Sequence, residues 1–152
     1  MKKKRYELRT YIESNALAYA VAMVDNKEID EINILNASFL AMHRAIEKLN
    51  QLPQALLIDG NRFKAYKEIP HHCIIKGDGK YLPIAAASIL AKTYRDDFML
   101  QIHQQYPQYK WDKNKGYPSQ EHRKAIKECG VTEYHRLSYK LLPEQLSLQF
   151  GN

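Results

Sequence analysis

The chain has 152 residues, of which 45% are hydrophobic and 26% are charged, and its formal net charge is +6. This length and composition are typical of one globular domain with its own core, and no apolar run is long enough to span a bilayer. The positive charge and the eleven tyrosines suit a nucleic-acid partner without requiring one.

The first residues, Met-Lys-Lys-Lys-Arg, are basic, but no apolar stretch follows them as it would in a secretory signal peptide. The two cysteines, Cys73 and Cys129, fit a reduced compartment better than a disulfide framework. We therefore expect a cytoplasmic protein that does not associate with membranes.

The first third of the chain predicts two helices with a strand between them. Residues Lys3–Ser14 are predicted to form an exposed helix, and Leu17–Val24, apolar on both faces, an interior strand. Asp25 or Asn26 can cap the next helix, which Pro53 stops. Apolar residues at alternating steps of three and four predict a continuous core stripe on that helix: Ile32, Leu35, Phe39, Met42, Ile46 and Leu49.

Two short apolar runs in the middle of the chain each lead to an aspartate. The segment Ala55–Asn61 predicts a buried strand that ends at Asp59, and Ile74-Ile75 predicts a strand followed by a turn that carries Asp78. If the two strands are neighbours in one sheet, both carboxylates emerge at the same rim, where they could bind a hard cation such as Mg²⁺. By itself the segment Lys-Gly-Asp-Gly-Lys is more typical of an ordinary turn, so the residues alone favour a turn and leave the metal site as the alternative.

A long helix is predicted from Pro83 to about His103, because proline is well tolerated in a first helical turn. The preceding segment His71-His72-Cys73 could suggest a soft-metal site, but adjacent ligands without a second ligand cluster rarely form one. The predicted core residues of the helix are Ile84, Ala87, Ala91, Tyr94 and Phe98.

The last part of the chain begins with an aromatic and basic segment, Tyr106–Tyr117. Ser119 is predicted to cap a helix that ends near Cys129, with Gly130 as a left-handed stop. The tail Leu141–Phe150 is predicted to pack as a last helix or turn. We find no repeat and no linker, so residues 1–152 are predicted to form a single domain.

Several of these segments occur in an order that resembles bacterial ribonuclease HII, a type 2 ribonuclease H. The resemblance runs from Lys3 to Phe150 and rests on the motifs around Asp59 and Asp78, on Asn-Lys-Gly-Tyr-Pro at 114–118, and on His-Arg-Leu-Ser at 135–138. It implies an α/β fold: a ribonuclease H-like mixed sheet flanked by helices. The family's N-terminal Asp-Glu pair and Gly-Arg-Gly loop have no counterpart here, so we expect an N-terminally incomplete domain, the C-terminal two thirds of the family's fold.

The resemblance also implies a function and a site. The function is cleavage of the RNA strand of RNA–DNA hybrids and incision at ribonucleotides embedded in DNA, by two-metal-ion hydrolysis with Mg²⁺ or Mn²⁺. Asp59 and Asp78 match two of the family's four metal-binding catalytic carboxylates. Tyr117 matches the tyrosine that stacks on the sugar at the DNA–RNA junction, and we expect it to face them across a cleft. The candidate phosphate neighbours, which could also be ordinary surface charges, are Lys80, Lys92 and Arg95.

With half of the carboxylate site absent, we expect the 152-residue chain to be inactive or weakly active, and we expect a monomer. Asn114, Gly79 and Pro83 differ from the residues frequent in the family, but none of these differences removes a ligand. The alternative is a non-catalytic nucleic-acid-binding remnant that keeps the basic surface. A third interpretation is a purely structural, helical partner protein.

Overall fold

The computed structural model describes residues 2–142, which fall into two compact units. The first unit contains the residues up to Val24 and Ile34–Arg95, and the second contains Asp25–Asn33 and the residues from Asp96 onward. No helix in the described range is both long and apolar enough to cross a membrane. In chain order the elements are α1 (Lys2–Asn15), α2 (Asn26–Glu47), β1 (Leu56–Asp59), β2 (His71–Ile74), a 3-10 turn (Gly77–Gly79), α3 (Leu82–Gln105), a second 3-10 turn (Pro107–Tyr109), α4 (Trp111–Asn114) and α5 (Gln120–Cys129).

The helix predicted at Lys3–Ser14 is confirmed as α1, and a charged and aromatic contact holds it against α3 in the first unit. Arg9 Nε donates to Glu13 Oε1 over 2.8 Å, and the Tyr94 hydroxyl donates to the same oxygen over 2.9 Å. The Arg9 guanidinium lies 3.6 Å from the centre of the Tyr94 ring, which is a cation–π distance.

The interior strand predicted at Leu17–Val24 is wrong. The segment forms no regular element, no strand within residues 2–142 pairs with it, and Leu17 is 94% exposed. Two side chains from the end of α2 and the turn after it bind two of its carbonyls instead: Arg44 Nη1 in α2 lies 3.3 Å from Met23 O, and Lys48 Nζ, just after α2, lies 3.4 Å from Val21 O. An apolar sequence supplies side chains for a strand, but a strand also needs a hydrogen-bonded neighbour.

The helix predicted after Val24 is confirmed, but its continuous core stripe is not. Asp25 caps α2, since Glu28 N–H donates to Asp25 Oδ1 over 2.8 Å and Asp25 N–H donates back to the Glu28 carboxylate. Asn33 interrupts the helix with a φ of 66° and a ψ of 165°, so the regular spacing of the predicted stripe does not continue through this residue. Leu35 is therefore exposed, and Ile46 is the one member of the predicted stripe that is fully buried.

The sheet of the described residues consists of β1 and β2, which run parallel with Leu56 opposite His71 and Asp59 opposite Ile74. The second strand begins earlier than predicted, and Ile75 lies beyond its end. The buried strand predicted here is confirmed on one face: Leu56 and Ile58 are buried, whereas the intervening Leu57 is exposed. The core beneath this strand pair consists of Ile46, Leu56, Ile58 and Tyr66, with Met42, Phe63 and Ile69 against it.

The long helix predicted from Pro83 is confirmed as α3, but part of its predicted core face is wrong. Ile84 is buried as expected, whereas Ala87 and Ala91 are exposed. Thr93 is almost fully buried, and its hydroxyl donates to Ile89 O over 2.9 Å, so its polar group is satisfied inside the helix. The fully buried residues of α3 are Ile84, Leu90, Thr93, Met99 and Ile102.

The second unit is built on an aromatic core beside α5. Ser119 caps this helix as predicted, since its hydroxyl accepts from His122 N–H. Gly130 ends the helix with a φ of 79° and a ψ of −162°, a positive-φ conformation but not the left-handed helical one that was predicted. The core residues are Met99, Ile102, Tyr109, Trp111, Ala125 and Ile126. Of the predicted tail, Leu141 and Leu142 pack against this core, and the remainder lies outside the described residues.

Candidate active site

Asp59 stands at the carboxyl end of β1, where the strand pattern turns its side chain outward. Leu56 and Ile58 face the core, so the alternation of a strand exposes Leu57 and Asp59. The ladder continues one step further, because Gly60 N–H donates to Ile74 O over 3.0 Å. The end of β1 is thereby fixed against the end of β2, and the carboxylate lies at the rim of the sheet.

The turn that carries Asp78 is joined directly to Asp59. Gly77 N–H donates to Asp59 Oδ1 over 2.9 Å, and Asp78 is the next residue. Lys76 enters the turn with a left-handed φ of 56°, and Tyr81 N–H donates to Gly77 O over 2.8 Å to close it. The structure thus brings the two predicted aspartates to one rim of the sheet in the first unit.

Close packing favours glycine at position 77. A Cβ there would lie 2.6 Å from Ile84 Cδ1 on α3 and 3.4 Å from Asp59 Oδ1. Carbon atoms normally approach to no less than about 3.5 Å, so a larger residue would push the turn away from Asp59 or displace the buried Ile84. The first turn of α3 therefore fixes the position of the aspartate-bearing turn.

The oxygen donors of Asp59 and Asp78 suit a hard divalent cation. Both residues are exposed, and a carboxylate with one backbone N–H on Oδ1 keeps further lone pairs free. Mg²⁺ commonly binds one or two carboxylates and completes its shell with water and substrate oxygens. Within residues 2–142, no group of three or more histidine, cysteine, aspartate or glutamate side chains is arranged to hold a metal. The pair fits as a partial ligand set.

The three predicted phosphate neighbours belong to the first unit as well. Lys80 follows the 3-10 turn, and its N–H donates to Gly77 O over 3.0 Å while its side chain is exposed. Lys92 Nζ donates to Ser88 Oγ over 2.7 Å one turn earlier on α3. Arg95 is exposed on the same helix. Their contact with phosphate stays a prediction.

Tyr117 belongs to the second unit, and its ring is 71% exposed. Its backbone is held on both sides: its N–H donates to Asn114 O over 2.8 Å, and its carbonyl lies 3.1 Å from His122 Nδ1. Asn114 also braces the preceding residues, because its side chain donates to Tyr109 O and accepts from Gly116 N–H. That Tyr117 faces Asp59 and Asp78 across a cleft stays a prediction.

Sequence reasoning missed a buried pair of histidines beside this loop. His122 Nε2 lies 3.2 Å from His135 Nε2 and 3.3 Å from Trp111 Nε1, and Thr132 N–H donates to His135 Nδ1 over 2.9 Å. Burial lowers the pKa of His122; burial together with the facing His122 lowers the pKa of His135 to about 4. The spacing of His122 with Ala125 and Ile126, which share one helix face, is the signal that could have indicated its burial.

Comparison with solved structures identifies the class of fold. The crystal structure of ribonuclease H2 from Pyrococcus horikoshii superposes with a TM-score of 0.77 at 23% sequence identity, over 93% of this chain and 74% of that one. At this identity the likeness concerns the fold alone. The protein therefore has the ribonuclease H-like α/β fold that the sequence predicted.

Sequence comparison identifies the family within that class. The ribonuclease HII family model matches residues 1–142. A ribonuclease HII from Christiangramia forsetii is 64% identical over 148 residues, which is 97% of this chain and 75% of the relative. A ribonuclease HII from Bacteroides thetaiotaomicron is 64% identical over 97% of this chain and 74% of that relative. The chain belongs to the ribonuclease HII family.

Proposed function

We propose that this protein is a metal-dependent endonuclease that cleaves the RNA strand of RNA–DNA hybrids and incises DNA at embedded ribonucleotides. Membership in the ribonuclease HII family supports the nuclease class. The observation that carries the site assignment is the bond from Gly77 N–H to Asp59 Oδ1, because it holds Asp78 beside Asp59. Asp59 faces outward at the rim of the sheet and Asp78 is exposed in the adjoining turn, which suits the binding of a divalent cation.

Asp59 and Asp78 would hold Mg²⁺ or Mn²⁺. When bound in a pair, such ions lower the pKa of an attacking water and stabilise the leaving oxygen of a phosphodiester. The protein itself orients the ligands. The end of β1 fixes Asp59, and the bond from Gly77 N–H to Asp59 fixes the turn that carries Asp78 beside it. Oxygen ligands held by backbone contacts need little reorganisation when a cation binds.

The substrate side of the proposal rests on exposure and charge. Tyr117 presents a ring that is 71% exposed on an anchored backbone, which suits stacking on a sugar or base. Lys80, Lys92 and Arg95 are exposed or partly exposed cations that can neutralise phosphates. The net charge of +6 favours approach of a polyanion.

We further propose that a polypeptide limited to residues 1–152 cleaves weakly. The family resemblance implies four carboxylates, of which Asp59 and Asp78 have matches within these residues. Two carboxylates balance only half the charge of two divalent ions, so a second ion should bind weakly.

A cytoplasmic location is consistent with the free, exposed thiols of Cys73 and Cys129. We also propose that the protein acts as a monomer.

The decisive experiment measures incision of a DNA duplex that contains one ribonucleotide, with Mg²⁺ or Mn²⁺. The 152-residue polypeptide is compared with a version preceded by an Asp-Glu-containing strand segment of the family, which should cleave faster. In that version Asp59→Asn should lower the rate by more than about tenfold, the lower end of the effect of removing a residue that merely supports a metal ligand. Glu47→Gln, which removes an exposed carboxylate at the end of α2, is the matched control.

Equal rates for the short and extended versions would overturn the proposal of weak cleavage. Retained activity in Asp59→Asn would overturn the site. Salt-dependent binding of the duplex without incision by either version would instead favour the non-catalytic nucleic-acid-binding protein.

Binding tests the phosphate contacts separately, by fluorescence anisotropy on an RNA–DNA hybrid over a range of salt concentrations. Replacing Lys80 by glutamine should weaken binding and reduce the salt slope by about one, since one phosphate contact and its released counterion are lost. Lys27→Gln, at an exposed position of α2, should leave the slope unchanged. An equal slope for wild type and Lys80→Gln would exclude Lys80 from the interface.

A further inference from the structure

A continuous line of hydrogen bonds runs through the second unit from Thr132 to the loop of Tyr117. Thr132 N–H donates to His135 Nδ1 over 2.9 Å, the two imidazoles meet at 3.2 Å through their Nε2 atoms, and His122 Nδ1 lies 3.1 Å from Tyr117 O. His122 and His135 are 6% and 5% exposed, so water does not compete for these bonds. The line begins at the backbone of Thr132, in the loop after α5, and ends at the carbonyl of Tyr117, the residue proposed to contact the ribose.

The bonds allow one arrangement of protons. Because His135 Nδ1 accepts from a backbone N–H, the proton of the neutral ring must be on Nε2. That N–H donates to His122 Nε2, which also accepts from Trp111 Nε1–H at 3.3 Å. The proton of His122 is therefore on Nδ1, where it donates to Tyr117 O. Each ring thus fixes the tautomer of the next.

The segment that carries His135 is itself firmly attached. Asp30, in the early part of α2, accepts from Leu137 N–H over 2.7 Å and from Ser138 N–H over 3.2 Å. The Asn26 side chain donates to His135 O over 3.0 Å. These bonds fix the backbone of His135. Because His135 Nε2 contacts His122 Nε2, they also fix the orientation of the His122 ring.

The residues before Tyr117 need such support. Lys115 and Gly116 both have positive φ values, 52° and 82°, so the chain reaches Tyr117 through an unusual backbone conformation. A stacking side chain binds best when its backbone is ordered before binding, because ordering it during binding costs free energy. Asn114 O fixes the N–H of Tyr117, and His122 fixes its carbonyl, while the ring stays exposed.

We propose that His122 and His135 are positioning residues that fix the Tyr117 loop for recognition of the ribonucleotide sugar. This inference rests on the proposed role of Tyr117 in the function above. In this role neither imidazole contacts the substrate. They act through the Tyr117 carbonyl, and their effect should fall on discrimination between ribose and deoxyribose.

The test measures fluorescence anisotropy in EDTA, so that binding is observed without cleavage. The probes are a labelled DNA duplex with one ribonucleotide and the same duplex made of DNA alone. Wild type should prefer the first probe, and Tyr117→Ala should lose that preference. His122→Leu should lower it by about fivefold, the effect of one neutral hydrogen bond, with little change in affinity for plain DNA.

Two further variants separate positioning from general destabilisation. His122→Asn places an amide N–H where Nδ1 stood, so it should recover most of the preference. His43→Leu is the matched control: His43 in the first unit also bonds a backbone carbonyl, Lys64 O at 2.8 Å, and its loss should leave the preference unchanged. Equal losses in His122→Leu and His43→Leu would overturn the inference.

The outcomes distinguish this inference from the proposed function. If wild type shows no preference for the ribonucleotide probe, the role of Tyr117 fails, and this inference with it. If wild type and Tyr117→Ala behave as expected but His122→Leu keeps the full preference, only the positioning role fails.

A measurement on wild-type protein keeps the inference testable even if His122→Leu does not fold. The ¹⁵N chemical shifts of the imidazoles at neutral pH should report a proton on Nδ1 of His122 and on Nε2 of His135. The opposite tautomer at either ring would overturn the arrangement.

Discussion

Replacing Gly77 by alanine should destabilise the protein by about 2 kcal/mol, through one defined overlap. The new Cβ would lie 2.6 Å from Ile84 Cδ1, about 1 Å inside normal carbon–carbon contact. Ile84 is 5% exposed, so its methyl group cannot swing into solvent. Overpacking of this kind costs about 1–3 kcal/mol. Movement of the turn is the other way to remove the overlap, and it would break the hydrogen bond from Gly77 N–H to Asp59. A hydrogen bond to a charged group contributes about 1.5–3 kcal/mol.

The free energy of unfolding is measured by urea titration of wild type and variants. Gly79→Ala is the matched control in the same turn, because a Cβ at Gly79 meets no atom within 4 Å. It should change stability by no more than about 0.5 kcal/mol. If Gly77→Ala and Gly79→Ala unfold at the same free energy, the packing explanation for Gly77 is refuted.

A second substitution tests which contact causes the loss. Ile84→Val removes Cδ1 and by itself should cost about 0.5–1.5 kcal/mol. In the Gly77→Ala background it should cost less, or restore stability, because the overlapping atom is gone. Additive losses in the double variant would place the cause of the destabilisation elsewhere than at Ile84 Cδ1.

Two further predictions concern the second unit. The pKa of His135 is lowered in the folded state from 6.5 to about 4, so the unfolded chain binds the proton more readily. The corresponding stability is present above about pH 6.5 and is lost as the pH falls towards 4, by up to about 3 kcal/mol. His135→Gln should flatten this part of the profile in unfolding experiments, and parallel profiles would contradict the explanation. Ser119→Ala removes the cap bond from His122 N–H and should lower the free energy of unfolding by about 0.5–2 kcal/mol. Ser14→Ala, at an exposed position of α1, is the control and should cost less. Equal losses of stability in the two variants would show that the cap is unimportant.

The features that sequence predicted well depend on residues close together in the chain. Ser119 accepts from a backbone N–H three residues away, and Asp25 does the same at the start of α2, so the local sequence is sufficient for both caps. Likewise, Asp59 ends a short apolar run whose alternation turns it outward. The ordered motifs around Asp59, Asp78 and Tyr117 were sufficient to indicate the family.

The features that sequence missed depend on which surface another segment covers. Leu17–Val24 has the composition of an interior strand, yet the described residues provide no strand to pair with it, and a ladder cannot form within one strand. The faces of α2 and α3 were misjudged for a related reason. Periodicity shows that a helix has an apolar side, but a kink at Asn33 and the packing around Ile84 decide which residues are covered.

The sequence by itself determined the family, most of the helices and the two aspartates at the ends of apolar runs. Only the tertiary structure decided that a Cβ at Gly77 would overlap with Ile84, and that the Nε2 atoms of His122 and His135 lie 3.2 Å apart. Both facts concern atoms from segments that are separate in the chain. Capping and alternation depend on neighbouring residues, whereas close packing and a hydrogen bond between two buried rings depend on distances that only the folded chain creates.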